Sequence, residues 1–395
     1  MTSPHMAKPE SERRYACRSC GRTYGLTEPR WACECGGPLD LTPGPGLKPG
    51  DIDSHVRSLW RYRRTLTPAA PTLSLGEGWT PLVKGRWEGR AVEWKLDYLM
   101  PSGSFKDRGI AVMANYLAQA GVTAVHEDSS GNGGAALALY AAALGFFCRI
   151  LVPATTSPGK IVQIAASGAE PILVEGSRED VARKAREFDA GTFYASHNWQ
   201  AHFLEGLKTL GFELWEQSNF AVPDCIVAPT GSGSVLLGCA QAFAELRAAG
   251  SIDKAPRLYA VQAANCAPLQ RALAHGGAPV LDESKPTIAE GIATARPVRG
   301  LAVLAVVRAS GGTVVAVSED EIGAATLALA RQGLFVEPTS AAAAAGVTKL
   351  IDSGAIGAGE RVVVVLTGSG LKAVTRIGDL LERAGPRTSK SKRGA

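Results

Sequence analysis

The sequence contains little of what marks several large classes of protein. Aromatic residues make up 6% of the 395 residues and charged residues 20%. No basic stretch alternates with aromatic side chains, so we expect no nucleic-acid partner. The net charge is +5, and part of it lies in the tail 387–393 (RTSKSKR). The rest of the chain is therefore almost neutral.

Long apolar runs are also lacking, and we expect no leader segment. The longest uncharged stretch, 129–148, opens with Ser-Ser-Gly-Asn-Gly-Gly, and its apolar part makes only about three helical turns. It therefore predicts a buried core helix and no membrane span. Residues 1–14 are polar and do not resemble a signal peptide. Eight cysteines in so long a chain do not indicate a disulfide framework. We expect a cytoplasmic protein.

Glycine, by contrast, is abundant, with 45 residues. Short apolar runs such as 148–152, 224–228 and 361–366 alternate with longer helical patterns, which predicts parallel sheets with right-handed crossovers. We therefore predict an α/β fold with two open parallel-sheet domains. The large domain should comprise residues 41–110 and 218–383, the smaller one residues 111–217, and a disordered basic tail residues 384–395. Within the large domain, residues 51–66 are predicted to form a helix with a basic face.

A small module should precede these domains, over residues 13–40. Two cysteine pairs flank a short hairpin-like stretch, which is typical of a four-cysteine zinc ribbon. Such a zinc would be structural, because no ligand position is left open. The alternative is four free thiols on a turn-rich extension. The proposed ligands are Cys17, Cys20, Cys33 and Cys35.

The nonapeptide 101–109 (PSGSFKDRG) precedes an apolar run with helical spacing. Ser102 or Ser104 is expected to cap this helix, which places Lys106 in its first turn. Backbone N–H groups and Arg108 would then favour the neutral amine, which is the form that makes a Schiff base. The alternative is an ordinary surface lysine at a helix start.

Three further glycine-containing loops follow predicted strands and precede helices: 129–134 (SSGNGG), 230–234 (TGSGS) and 367–370 (TGSG). A helix N-terminus with free N–H groups is suited to bind anions. Loop 230–234 lacks the third glycine of a dinucleotide site and the Gly-Lys-Ser/Thr of a P-loop. Because the carboxyl ends of parallel strands share one edge of a sheet, these loops should surround one ligand.

Together these loops and the segment 76–82 (GEGWTPL) resemble the threonine synthase family, pyridoxal phosphate (PLP) enzymes of fold type II. The resemblance extends from about residue 15 to 375. It implies PLP as cofactor, an amino-acid substrate and a homodimer. Lys106 would hold PLP and then remove the α-proton of the substrate. The other implied contacts are Ser129 and Ser130 with the substrate carboxylate, Asn132 with the phenolic oxygen of PLP, Thr230, Gly231, Ser232, Gly233 and Ser234 with its phosphate, and Thr367 with its pyridine nitrogen.

The chain departs from the family pattern at one place. The family's N-P-Y-R before E-G-Q-K-T is replaced by residues 200–203 (QAHF) before 204–209 (LEGLKT), which contain no arginine. Lys160 and Lys208 are then the candidates for binding a substrate phosphate. The sequence favours conversion of O-phosphohomoserine to threonine and phosphate. The alternatives are elimination or replacement at Cβ, as in a Ser/Thr dehydratase or a cysteate synthase-like enzyme, and an inactive PLP-binding protein that works through its ribbon.

Overall fold

A computed structural model of the chain describes residues 13–156, 158–188, 190–276 and 284–384, without the side chains of 158–160. Most of the predicted basic tail lies outside these residues. The first module is a three-stranded antiparallel sheet in the order β2-β1-β3. Its strands are β1 (Tyr15–Cys17), β2 (Thr23–Tyr24) and β3 (Leu39–Leu41).

A six-stranded sheet follows, in the order β12-β11-β10-β13-β5-β4. All of its neighbours are parallel except β4, which pairs antiparallel with β5 at the edge. The central strand β13 is four consecutive valines, all buried, as expected for a strand covered on both faces. The strands are β4 (Leu82–Trp87), β5 (Arg90–Lys95), β10 (Cys225–Pro229), β11 (Arg257–Ala263), β12 (Val314–Val317) and β13 (Val362–Val365).

A second sheet of four parallel strands has the order β8-β7-β6-β9. Its strands are β6 (Ala124–Glu127), β7 (Phe147–Pro153), β8 (Glu170–Val174) and β9 (Phe193–Tyr194). The predicted α/β class with two sheets is thus confirmed, whereas the residue limits of the domains stay a proposal.

Helices cover the sheets, and α5 packs between α1 and α6. The uncharged stretch 129–148 forms the buried helix α2 and then enters β7, as predicted. In the described part of the chain, no helix is long and apolar enough to cross a membrane. The helices are α1 (Lys106–Gln119), α2 (Asn132–Leu144), α3 (Pro158–Ala166), α4 (Arg178–Glu187), α5 (Ala201–Gln217), α6 (Ser234–Ala248), α7 (Pro268–Ala274), α8 (Gly300–Ala309), α9 (Glu319–Arg331), α10 (Pro338–Asp352) and α11 (Val374–Ala384).

The predicted helix over residues 51–66 is wrong. The segment contains only 3₁₀ turns, Pro49–Asp51 and Leu59–Thr65. Arg61 and Tyr62 are buried and bind the Glu216 carboxylate of α5, at 2.6 Å in each case. The backbone follows α5 because these side chains turn inwards, so the basic face does not form.

Candidate active site

The loop 101–109, which contains Lys106, and the loop 367–370, which follows β13, are joined by backbone hydrogen bonds. The Phe105 N–H donates to the Thr367 carbonyl at 2.8 Å, and the Ser369 N–H donates to the Gly103 carbonyl at 3.0 Å. Ser104 and Gly368 form an isolated antiparallel bridge between these bonds. Two of the four predicted loops therefore meet at one edge of the large sheet.

Lys106 is the first residue of α1 and is 9% exposed. Its Nζ lies 4.7 Å from the ring centroid of Phe105 and 5.5 Å from that of Phe203. Burial lowers the pKa of Lys106 to about 7, against the opposing effects of Glu127 and Glu337. Much of this lysine is therefore a neutral amine near pH 7, the nucleophilic form.

The reasons for this neutral amine differ from those predicted. Neither Ser102 nor Ser104 caps α1 with its side chain; instead Asp107 accepts the Ser102 N–H at 2.6 Å. Burial, and not Arg108, is the main cause of the low pKa of Lys106. The Arg108 guanidinium binds the carboxylates of Asp97 and Glu213.

The loop 129–134 follows β6 and begins α2. The Asn132 amide donates to the Glu337 carboxylate at 3.0 Å, and burial raises the pKa of Glu337 to about 7. Ser129 is buried and Ser130 half-buried. A Cβ on Gly134 would lie 1.9 Å from the Ser129 carbonyl oxygen, so only glycine fits here.

The loop 230–234 lies between β10 and α6. Within the described residues, the N–H groups of Gly231, Ser232 and Gly233 have no acceptor in the protein. Gly233 has a φ of +78°, which favours glycine. A Cβ on Gly231 would lie 2.8 Å from Thr294 Oγ1 and 3.0 Å from Ile292 Cα, so residues 291–294 pack directly on the loop. The result is a backbone cradle suited to an anion.

Thr367, directly after β13, is buried and lies 3.1 Å, Oγ1 to Oγ, from Ser340. Ser340 Oγ also accepts the N–H groups of Thr367 and Gly368. Neither Ser340 nor Glu337 is predicted from the sequence. The sequence Glu-Pro-Thr-Ser could have indicated that these side chains lie at a helix start, because Pro favours the first helical position.

The structure gives Lys208 a role other than substrate binding. Its Nζ is fully buried and bonds to the Thr65 carbonyl at 2.7 Å and to Glu205 and Glu245 at 3.0 Å each. Because an ammonium group has three donors, none is left for a substrate phosphate. This contradicts the interpretation of Lys208 as a substrate residue. Lys160 lies in α3, but its side chain is outside the described residues.

Residues 205–209 (EGLKT) of α5 pack against α1. A Cβ on Gly206 would lie 2.0 Å from the Arg108 carbonyl oxygen, so glycine lets α5 approach α1. Thr209 Oγ1 donates to the Gly206 carbonyl at 2.6 Å and contacts Arg108 at 3.3 Å. Because α5 lies so close to α1, the ring of Phe203 packs against Gly109 of α1.

Phe203 stands where the family pattern has its arginine, and Gln200 and His202 just before it contact the N-terminal module. Gln200 and His202 are fully buried. The Gln200 amide donates to the Arg30 carbonyl at 3.3 Å, and His202 stacks on Tyr116 with ring centroids 3.6 Å apart. Tyr15 of β1 lies edge-on to the same imidazole. The missing arginine is therefore replaced by an aromatic ring against α1, and the residues before it form a docking surface for the module.

The four cysteines of the module are brought together. Their sulfur atoms all lie within 4.8 Å of one another. The Sγ atoms of Cys17 and Cys35 are 3.5 Å apart, and those of Cys20 and Cys33 are 3.6 Å apart. Such spacings suit a tetrahedral four-thiolate site.

Comparison with known proteins agrees with this geometry. Residues 73–368 match the family model described as pyridoxal-phosphate dependent enzyme. The threonine synthase of Methanosarcina acetivorans is 34% identical, with 93% of this chain and 94% of that protein covered. The threonine synthase of Mycobacterium bovis is 36% identical over 76% of this chain and 83% of its own.

Among solved structures, the fungal L-serine ammonia-lyase of Rhizomucor miehei superposes with a TM-score of 0.65 at 24% identity. The match covers 76% of this chain and 96% of that one. At this identity the likeness establishes the fold alone.

Proposed function

The chain belongs to the threonine synthase family of pyridoxal-phosphate dependent enzymes, and on that premise we propose that it converts O-phosphohomoserine to threonine and phosphate. It is a PLP-dependent lyase. The observation that carries the proposal is the buried lysine with a low pKa at the edge where the glycine loops meet. We propose further that it acts as a cytoplasmic homodimer, on the family resemblance.

The described residues fit PLP. The free N–H groups of 231–233 suit a phosphate at the start of α6. A neutral lysine amine suits covalent attachment. Thr367 offers an uncharged hydroxyl for the pyridine nitrogen, and Asn132 an amide for the phenolic oxygen. When bound, PLP supplies an electron sink for the bond that breaks at Cα.

The chain's own residues have the following proposed roles. Lys106 attaches the cofactor and, once released by the substrate, takes the α-proton on Nζ. Ser129 and Ser130, at the start of α2, bind the substrate carboxylate. Phe105 and Phe203 enclose Nζ, which excludes water and keeps the amine neutral.

The substrate phosphate needs a cationic partner other than Lys208. Lys160, at the start of α3, is the proposed residue. The second candidate function is elimination or replacement at Cβ, which needs no such partner. It is favoured by one observation: residues 200–203 hold no arginine, and Phe203, at the position of the family's arginine, packs against Gly109 of α1.

The substrate is tested with separate incubations of O-phosphohomoserine, O-phosphoserine, threonine and serine, with products identified by mass. We expect threonine and phosphate from O-phosphohomoserine. Lys160→Ala should lower kcat/KM for this substrate by about thirtyfold to several thousandfold, because removing one partner of a buried charge costs about 2–5 kcal/mol. The exposed Lys254→Ala is the matched control. A 2-oxo acid from serine or threonine, with O-phosphohomoserine inert, would establish the Cβ chemistry instead.

We propose that the cysteine cluster binds one structural zinc. Metal analysis should find about one zinc per chain, and the double variant Cys17→Ser/Cys35→Ser should lose it. Because Tyr15 packs on His202 and Gln200 bonds to Arg30, the zinc-free protein should also lose stability around α5. Cys148→Ser, a buried cysteine outside the module, is the control. Full zinc content in the double variant would refute the site.

A further inference from the structure

The buried carboxylate of Glu127 interacts electrostatically with Lys106 and has no role in the proposed chemistry. Glu127 is the last residue of β6, two positions before Ser129, and is fully buried. Its Oε1 accepts the backbone N–H of His197 at 3.1 Å and also contacts the His197 imidazole at Nδ1. Its Oε2 is enclosed and has no hydrogen-bond partner in the described residues. An unpaired buried carboxylate oxygen is costly, so it calls for a functional partner.

His197 fixes the direction of this carboxylate. Burial lowers the pKa of His197 well below its ordinary value, so the ring is neutral. When Glu127 is ionised, its Oε1 accepts from the ring, which assigns the proton to Nδ1. A Cβ on Gly133 would lie 2.6 Å from this Nδ1, so the glycine of loop 129–134 leaves room for the ring. His197 thus holds Glu127 through two hydrogen bonds.

The ring of Phe203 lies between His197 and Lys106. The ring centroids of His197 and Phe203 are 5.6 Å apart, and Lys106 Nζ lies 5.5 Å from the Phe203 centroid. The charged groups that face Lys106 are Glu127 of β6, Glu337 before α10, and Arg178 at the start of α4. Glu127 is faced in turn by Lys106, Arg178, His126 and His197.

We propose that Glu127, oriented by His197, is a positioning residue for Lys106, and that its unpaired Oε2 balances the charge of the Lys106 ammonium group. The inference rests on the proposed role of Lys106. When the Cα–H bond of the substrate breaks, its proton forms an N–H bond at Nζ and the electron pair remains on the substrate–cofactor side. The new ammonium is then paired with the Glu127 carboxylate, while His197 keeps that carboxylate in place.

The titration behaviour agrees with this pairing. Burial raises the pKa of Glu127 and lowers that of Lys106, so the two pKa values move towards each other. Groups whose pKa values approach each other exchange a proton at a lower cost. A neutral amine and a carboxyl group can therefore convert to the ion pair near pH 7.

The test compares the wild-type chain with Glu127→Gln, which keeps an oxygen for His197 and removes the negative charge. The full-length protein is freed of PLP, and the acetylation of Lys106 by acetic anhydride is followed against pH by peptide mass spectrometry. Without the anion the ammonium is less stable, so the midpoint should fall by about one pH unit or more. In the PLP-loaded enzyme kcat should fall by about tenfold to a hundredfold, while the covalent adduct persists.

Asp128→Asn is the matched control, because Asp128 binds the hydroxyls of Tyr194 and Ser196 and should leave the Lys106 midpoint unchanged. If Glu127→Gln does not fold, Glu127→Asp decides, since the shorter carboxylate should lower the midpoint by a smaller amount. An unchanged midpoint in the folded variant would overturn the inference. Loss of the adduct from Lys106 in the wild type would instead overturn the proposed function.

Discussion

Replacing Lys106 with alanine should abolish the covalent PLP adduct. It should also lower kcat by about a hundredfold to ten thousandfold. The variant loses both the attachment point and the group proposed to take the α-proton. Lys106 is buried between two aromatic rings and has a pKa near 7. The measurement is borohydride reduction of the loaded enzyme, followed by mass analysis of the labelled peptide.

The variant Lys254→Ala serves as the control, because Lys254 is exposed and pairs only with Asp224 in the described residues. It should keep the adduct and the activity. The fold of Lys106→Ala is checked by its unfolding midpoint, which should change little because alanine is a good helix former at this position. An adduct that persists on a different lysine would contradict the assignment of Lys106.

The positions of the active-site loops could be predicted because their signals are local. Gly231 and Gly233 follow an apolar strand and precede a helical pattern, and the structure places them in that order. Strand β13 lies within the apolar run 361–366, which predicts a strand. Since parallel strands end at one edge of a sheet, the sequence also predicted that the loops would lie together. The bridge between Ser104 and Gly368 agrees with this.

The partners of the charged residues could not be predicted, because they come from distant parts of the chain. Lys208 follows the family's motif and pairs with the nearby Glu205, but its other two partners are Glu245 of α6 and the Thr65 carbonyl. Arg108 lies two residues from Lys106, but binds Asp97 and Glu213. Spacing along a helix gives the direction of a side chain and does not identify what lies opposite. The same limit applies to Glu127, whose contact with His197 spans 70 residues.

The four-charge cluster around Arg108 should dominate the stability of the site. Arg108, Asp97, Glu213 and Lys95 are all fully buried. The guanidinium donates to Asp97 Oδ1 and Oδ2 at 2.8 Å each and to Glu213 Oε2 at 2.8 Å. Glu213 also accepts from Lys95 and from the N–H groups of Trp79 and Thr80. The cluster therefore ties α1 to α5 and to the segment 76–82.

Arg108→Met should lower the free energy of unfolding by about 3–5 kcal/mol, because it leaves a buried carboxylate without its cation. Urea unfolding at pH 7 measures this. The matched control is Arg149→Met: its ion pair with Glu170 is partly exposed, with side chains 24% and 49% exposed. Such surface pairs contribute about 0–1 kcal/mol. An equal loss in both variants would show that burial of the cluster has no special effect.

The stability that is lost in Arg108→Met should depend on pH through the carboxylate of Glu213. Burial alone would raise its pKa, but the charges of Arg108 and Lys95 lower the pKa to about 2, from an ordinary value of 4.5. A lowered folded-state pKa contributes stability above the ordinary value, and this contribution is lost as the pH falls through the folded-state value. The difference in the free energy of unfolding between the wild type and Arg108→Met should therefore be largest near pH 7. It should shrink as the pH falls from 4.5 towards 2. A difference that stays constant over this range would mean that the arginine acts by filling space and not by its charge.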